Sequence, residues 1–414
     1  REKKLGKELR LTLRVPNPSI EKTEAKILLE TLEGIPRSFD TAQIFYEQDL
    51  APIFEVILPM TSSAQDVNRI YYYYKNFVAG KQSQKFFEGG PTVSDWIGKF
   101  SPEQINVIPL IETKEQLLNT DKIVGEYLTE KKLSHQRVFL ARSDPAQNYG
   151  FTSAVLLGKI ALQKLDELEQ KTSIDIYPII GVGSVPFRGN LKPTNPQNCL
   201  NGYPSVQTFT VQSAFKYDYS QKEVTSGIKQ INETKRKKPL AIDEQKTLEI
   251  IDRVSEEYIK QISLLAPLIN RVASYVPKRR KRKLHIGLFG YSRQMKGKTL
   301  PRTITFCASL YSIGLPPELI GLNALTQKDL DYFGSIYKNF QNDLNDAMQF
   351  FNKESLKIIP KEVAKKIRLD LTDTQTNTEH EKITSEIISN LKKNEVHKIE
   401  SNVSRAAFER KFLG

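Results

Sequence analysis

The sequence predicts an α/β fold, a (β/α)8 TIM-type barrel with additional α-helices at its C-terminal end. Short, β-branched, continuously apolar runs recur between residues 54 and 289. Runs apolar throughout suit parallel strands covered on both faces. Helical patterns lie between them, as crossovers between parallel strands require. No early G-x-G-x-x-G opens a helix after a strand, which removes the main reason to expect an open dinucleotide-type sheet.

FEVILPM at 54–60 is the first run, with a helical stretch at 64–77 behind it. INVIPLI at 105–111 is the second, followed by a helical pattern over 114–128. VFLA at 138–141 is the third, and the helix after it repeats Leu157, Ile160, Ala161, Leu165 and Leu168 at 3.6-residue spacing. IYPIIGV at 176–182, residues 206–211 and HIGLF at 285–289 are the fourth, fifth and sixth. Six units, with room for two more in less legible segments, predict the eight-stranded barrel. From about Asp329 the character changes. Leu330 to Phe351 reads as an amphipathic helix, Asp370 to His380 as a polar loop, and Lys382 to Leu413 as a helical tail. The expectation is one catalytic domain over 1–414, with an N-terminal segment at 1–50, a barrel core at 51–328 and a helical appendage at 329–414. The chain opens on Arg1 without Met or signal peptide, so the first segment is expected to be incomplete.

Composition narrows the class. With 39% hydrophobic and 26% charged residues, the 414-residue chain reads as a soluble globular protein. No apolar run reaches the roughly 18 residues of a membrane span. Cys199 and Cys307 form no C-x-x-C pair, so a reducing cytoplasm without disulfides is expected. None of the four histidines has zinc-ligand spacing. The net charge of +13 admits a nucleic acid, an anionic substrate or a basic surface. Its densest run, Lys278 to Lys283, has no interleaved aromatics and reads as a solvated loop or an oligomer contact. Trp96 and the Tyr71 to Tyr74 run read as packing or interface surface, and the cysteines as packing residues.

Chemistry is sought at the strand ends, because these converge on the mouth of a barrel. The second strand ends in Glu112, the third in Arg142-Ser143-Asp144, and the fourth in a glycine-rich stretch, Gly181 to Gly189, that contains Arg188. The fifth runs into Gln212 and Lys216, the sixth into Arg293, with Arg302 nine residues on. Two carboxylates suit a hard ion such as Mg²⁺, which keeps waters and substrate oxygens as its other ligands. Guanidinium forks match phosphate and carboxylate bidentately. The pattern reads as a metal-capable mouth facing an anion site.

At these ends the sequence resembles the archaeal-type phosphoenolpyruvate carboxylases. The matching segments are PLIET (109–113), ARSDPAQNYG (141–150), GVGSVPFRGNL (181–191), TFTVQSAFKYDY (208–219) and YSRQMKGKTLPRTITF (291–306), with LPMTSSAQDV (58–67) beside them. The resemblance implies a cytoplasmic carboxy-lyase, commonly a homotetramer. It would make oxaloacetate from phosphoenolpyruvate and bicarbonate, an anaplerotic supply to the tricarboxylic acid cycle. It implies Glu112 and Asp144 as ligands of Mg²⁺ or Mn²⁺, and Arg293 and Arg302 as the grip on the substrate phosphate. Arg188 falls near bicarbonate, with Arg142, Lys216 and Gln212 as further contacts. Longer members of the family carry a lysine where this chain has Gln147, and Arg142 is expected to supply that cation. The family's N-terminal histidine motif is not in the chain, which fits an incomplete first segment. A loop at 294–299 is expected to act as a lid. The alternatives are another metal-dependent barrel lyase or aldolase acting on pyruvate or phosphoenolpyruvate, or a basic nucleic-acid-binding protein.

Overall fold

The computed structural model of the protein describes residues 3–277, 293–295 and 297–414. The expected strand at 285–289, the basic run at 278–283 and Tyr291-Ser292 lie outside the described residues.

Six strands form one sheet in chain order, β1 (Thr12–Arg14), β2 (Glu55–Leu58), β3 (Asn106–Ile111), β4 (His135–Ala141), β5 (Asp175–Gly181) and β6 (Thr208–Phe209). The registers of β1 with β2, β2 with β3, β3 with β4, and β5 with β6 are all parallel. Among the described residues the sheet has six strands, so the eight-stranded closure is not seen. β1 was not legible, because a three-residue strand carries too little periodicity to register. β6 occupies two of the six residues expected to be extended there.

The chain divides into two compact units. Among the described residues, the first comprises residues 3–140 and 167–177. It holds α1 (Ala25–Tyr46), α2 (Ala64–Tyr73), α3 (Val93–Ile97), α4 (Lys114–Leu118) and α5 (Thr120–Leu128). Its core is built from Val56, Leu58, Val107, Ile108, Val138 and Leu140 of the sheet, with Val67 and Ile70 of α2 and Val124 of α5. A reciprocal cap starts α2, where Ser63 accepts from the Asp66 amide and the Asp66 carboxylate accepts from the Ser63 amide. The tyrosine run divides by helical phase. Tyr71 and Tyr74 are buried and Tyr72 is exposed. Trp96 is also exposed, with its ring edge-on to Phe86.

Among the described residues, the second unit comprises residues 141–166, 178–277, 293–295 and 297–414. It opens on α6 (Ser143–Tyr149) and the start of α7 (Phe151–Thr172), and continues with α8 (Pro196–Gly202) and α9 (Gln221–Glu233). Its central helix is α10 (Glu244–Ala273), which buries Ile250, Ile251, Val254, Tyr258, Ile262 and Leu265. α10 packs on α11 (Thr303–Ser312), of which Phe306, Cys307, Leu310 and Tyr311 are buried. β7 (Arg293–Met295) and β8 (Lys298–Leu300) form an antiparallel hairpin where the lid loop is expected. The helix expected over 330–351 is broken into α12 (Gln327–Ile336) and α13 (Phe340–Met348). The break lets Asn339 and Tyr337 turn inward onto Asp343. After α14 (Lys361–Ala364), the tail folds as α15 (Thr378–Lys393) and α16 (Val396–Glu409), helical as expected. Cys199 and Cys307 are buried free thiols. Among the described residues no helix is long and apolar enough to cross a membrane.

Candidate active site

In the first unit, Glu112 stands one residue past β3, half-buried. Its Oε2 accepts from the Met60 backbone N–H at 2.6 Å. Met60 follows β2 with φ at +52°, a left-handed conformation that costs a non-glycine residue energy. The same turn is held by Asn17, which follows β1 and donates from Nδ2 to the carbonyls of Pro59 and Met60 at 2.9 and 3.2 Å. The ends of three successive strands are therefore tied through one buried asparagine and one carboxylate. The sequence reading missed Asn17. Its one signal is its place between two prolines, Pro16 and Pro18, which keep that segment extended.

In the second unit, Arg188 is the centre of a polar fork. Its Nε donates to Ser143 Oγ at 3.0 Å, one Nη to Gln212 Oε1 at 2.7 Å, and the other to the carbonyl of Gly414 at 2.9 Å. Ser143 lies just beyond β4 and Gln212 just beyond β6, so the fork joins residues from two separated strand ends. Arg188 is 8% exposed. The glycines around it have geometric reasons. A Cβ on Gly183 would stand 3.2 Å from the Arg188 guanidinium carbon, and Gly189 has φ at +119° with Val182 Cγ1 2.4 Å from where its Cβ would be.

The loop bearing Arg188 is held from several sides. Arg142, 1% exposed, donates to the carbonyls of Phe187 and Phe151 at 3.2 and 3.4 Å and to Tyr203 Oη at 3.2 Å. Its N–H groups are thus engaged inside the protein, beneath the loop. Asn190 donates to Asp343 at 2.8 Å and to Asp346 at 2.8 Å. Asp343 also accepts from Asn198, Tyr337 and Asn339. Burial raises its carboxyl to about 6 despite these donors. Lys159 is buried nearby, donating to the Gly202 carbonyl at 2.6 Å, and desolvation lowers its ammonium to about 7.

Asp144 sits half-buried in the first turn of α6. Gln147, on the same helix, is fully buried and doubly used. Its Nε2 donates to the Pro301 carbonyl at 2.7 Å and its Oε1 accepts from Thr303 Oγ1 at 2.7 Å. Pro301 and Thr303 flank Arg302, so the helix of Asp144 is tied to the segment that presents Arg302. A lysine could donate to that carbonyl but could not accept from Thr303. Arg302 itself is exposed, at the N-cap of α11. Arg293 lies on β7, opposite Leu300. Lys216 is exposed, its ammonium 5.2 Å from the Tyr217 ring centre. Of the residues expected at the site, the second unit brings Arg188 and Gln212 into direct contact. No cluster of three or more metal-ligating His, Cys, Asp or Glu side chains occurs among the described residues. Glu112 and Asp144 each offer carboxylate oxygens, the donors of a hard cation that retains water and substrate oxygens.

The family model described as phosphoenolpyruvate carboxylase matches residues 1–414. A protein of Methanothermobacter thermautotrophicus named phosphoenolpyruvate carboxylase is 51% identical over 414 residues, covering 100% of this chain and 85% of the relative. The protein of that name from Pyrococcus abyssi is 54% identical over 348 residues, 84% of this chain and 73% of the relative. The one from Halobacterium salinarum is 44% identical over 419 residues, covering 99% and 84%. The chain therefore belongs to the archaeal-type phosphoenolpyruvate carboxylase family, a family of carboxy-lyases.

Proposed function

We propose that the protein carboxylates phosphoenolpyruvate with bicarbonate, giving oxaloacetate and phosphate. The observation that carries the reading is the Arg188 fork, a cation fixed between Ser143 and Gln212 on a loop that glycine alone allows. A guanidinium held in this way needs little reorganisation when charge develops beside it. Bicarbonate oxygen attacks phosphorus, the bond from phosphorus to the enol oxygen breaks, and carboxyphosphate and the enolate of pyruvate result. Carboxyphosphate splits into carbon dioxide and phosphate, and the enolate carbon attacks carbon dioxide. Arg293 and Arg302 neutralise the phosphate of the substrate. Arg188 holds the bicarbonate side through both steps, with Gln212 fixing its plane. Arg142 acts from below, bracing the loop and adding positive potential, while Lys216 supplies a mobile cation from the rim. By the family resemblance Glu112 and Asp144 would hold Mg²⁺ or Mn²⁺, and the ion would supply Lewis-acid charge neutralisation. Water must be kept from the enolate, which it would protonate to pyruvate. The hairpin between Arg293 and Leu300 is suited to act as that cover.

A cytoplasmic homotetramer that replenishes the tricarboxylic acid cycle is carried over from the family resemblance. The deciding experiment is turnover of phosphoenolpyruvate with Mg²⁺ and bicarbonate, followed by coupled reduction of oxaloacetate. Phosphate release that is independent of bicarbonate would instead indicate a lyase or phosphatase reaction.

A further inference from the structure

We propose that Glu318 is a positioning residue for the Arg188 loop, its carboxylate holding the Phe187 amide so that the guanidinium of the next residue faces its partners. The inference rests on the role given to Arg188 above. Glu318 lies on a short turn, Pro317–Leu319, whose backbone is constrained by Pro316 and Pro317. It is fully buried. Its Oε1 accepts from the Phe187 backbone N–H and from Tyr311 Oη, the latter at 2.7 Å. On the other side of the same residue, the Phe187 carbonyl accepts from Arg142. The backbone of Phe187 is thus gripped at its N–H and its C=O by buried, chargeable side chains, and the residue after it carries the fork.

Ordinary core packing does not explain this arrangement well. Among the described residues Glu318 Oε2 is buried without a hydrogen-bond partner, a costly state that an apolar residue would avoid. The groups facing the carboxylate are Cys307 and Tyr311 of α11, Tyr258 of α10, Asp343 of α13 and the Arg188 loop itself. Among them Asp343 repels a negative charge and Tyr311 donates to one. Burial raises the carboxyl to about 7, so near neutrality it is present in both forms. The neutral acid and a glutamine both keep an oxygen that can accept from Phe187 and Tyr311. Charge is then secondary and the acceptor is what positions the loop.

The test compares Glu318→Leu, Glu318→Gln and Tyr311→Phe in the full chain. For Glu318→Leu, the KM for bicarbonate should rise about tenfold or more, with the KM for phosphoenolpyruvate within about twofold of wild type. Glu318→Gln should restore bicarbonate KM to within about threefold of wild type, because it retains the acceptor. Tyr311→Phe should fall between them. Hydrogen exchange supplies a readout that needs no turnover. The peptide spanning 181–191 should exchange faster in Glu318→Leu, while peptides of α10 keep their protection. Unchanged exchange at 181–191 overturns the proposal whatever the kinetics. Faster exchange there, with Arg188→Ala leaving bicarbonate KM unmoved, supports the positioning and overturns the role given to Arg188 instead.

Discussion

Arg188 and Gln212 meet at 2.7 Å, the guanidinium donating to the side-chain carbonyl oxygen of a residue beyond the sixth strand. Together with Ser143 and Gly414 this sets the plane of the arginine. A lysine carries the same charge but is a point donor that cannot make the fork. Arg188→Lys is therefore expected to lower kcat by about 10²-fold with little change in thermal stability. The coupled oxaloacetate assay and a melting curve check it, and a rate within a factor of a few of wild type removes Arg188 from the mechanism.

Asp144→Asn and Arg293→Ala are expected to abolish turnover and leave the fold intact. Asparagine is nearly isosteric with aspartate but is neutral, so the substitution isolates the charge. Circular dichroism and Mn²⁺ titration separate the two effects. Asp144→Asn should lose metal affinity, whereas Arg293→Ala should keep it. Near wild-type rates in both variants would sink the site assignment.

Gly189→Ala should destabilise the protein by about 1–3 kcal/mol, the usual cost of forcing a side chain into strained backbone. The φ of +119° is one cause and the close approach of Val182 is the other. Denaturant unfolding measures it. Because the loop carries Arg188, turnover should fall further than the loss of folded protein explains.

His380 makes a prediction about pH. It is fully buried, edge-on to Phe350, with Arg410 at 3.4 Å from its Nε2. Desolvation, helped by the Arg410 charge, lowers its pKa to about 3. The folded state then binds fewer protons than the unfolded chain between pH 3 and the ordinary histidine value near 6.5. Its contribution is complete above that value and is lost as pH falls through the window. Relative to wild type, His380→Phe should lose about 2 kcal/mol less stability between pH 6.5 and pH 5. Urea unfolding at the two pH values checks this, and parallel losses would refute it.

The apolar runs at 54–60, 105–111, 138–141 and 176–182 were legible because buried parallel strands need continuous apolar character, and each overlaps a strand. The 30-residue helix α10 was not read, although its buried positions keep helical spacing. It lies between polar segments and has no strand before it to frame a βα unit. The break between α12 and α13 escaped for another reason. Asn339 and Tyr337 turn inward to satisfy the buried Asp343, a need that local propensity cannot register.

The same division runs through the site. By itself the sequence determined the order of strand ends and the acids and arginines beyond them, since adjacency along the chain places those residues next to each strand. It also determined the glycines, because a positive φ or a close backbone approach demands them locally. Only the tertiary structure decided which donors are engaged inside. Arg142 was expected to reach an anion, and its N–H groups donate to acceptors on Phe187, Phe151 and Tyr203, residues from 9 to 61 positions away. Glu318 carried no signal at all, sitting 131 residues from the amide it holds. Burial and partner choice are long-range properties, and a hydrogen bond between distant residues exists only once packing has brought them together.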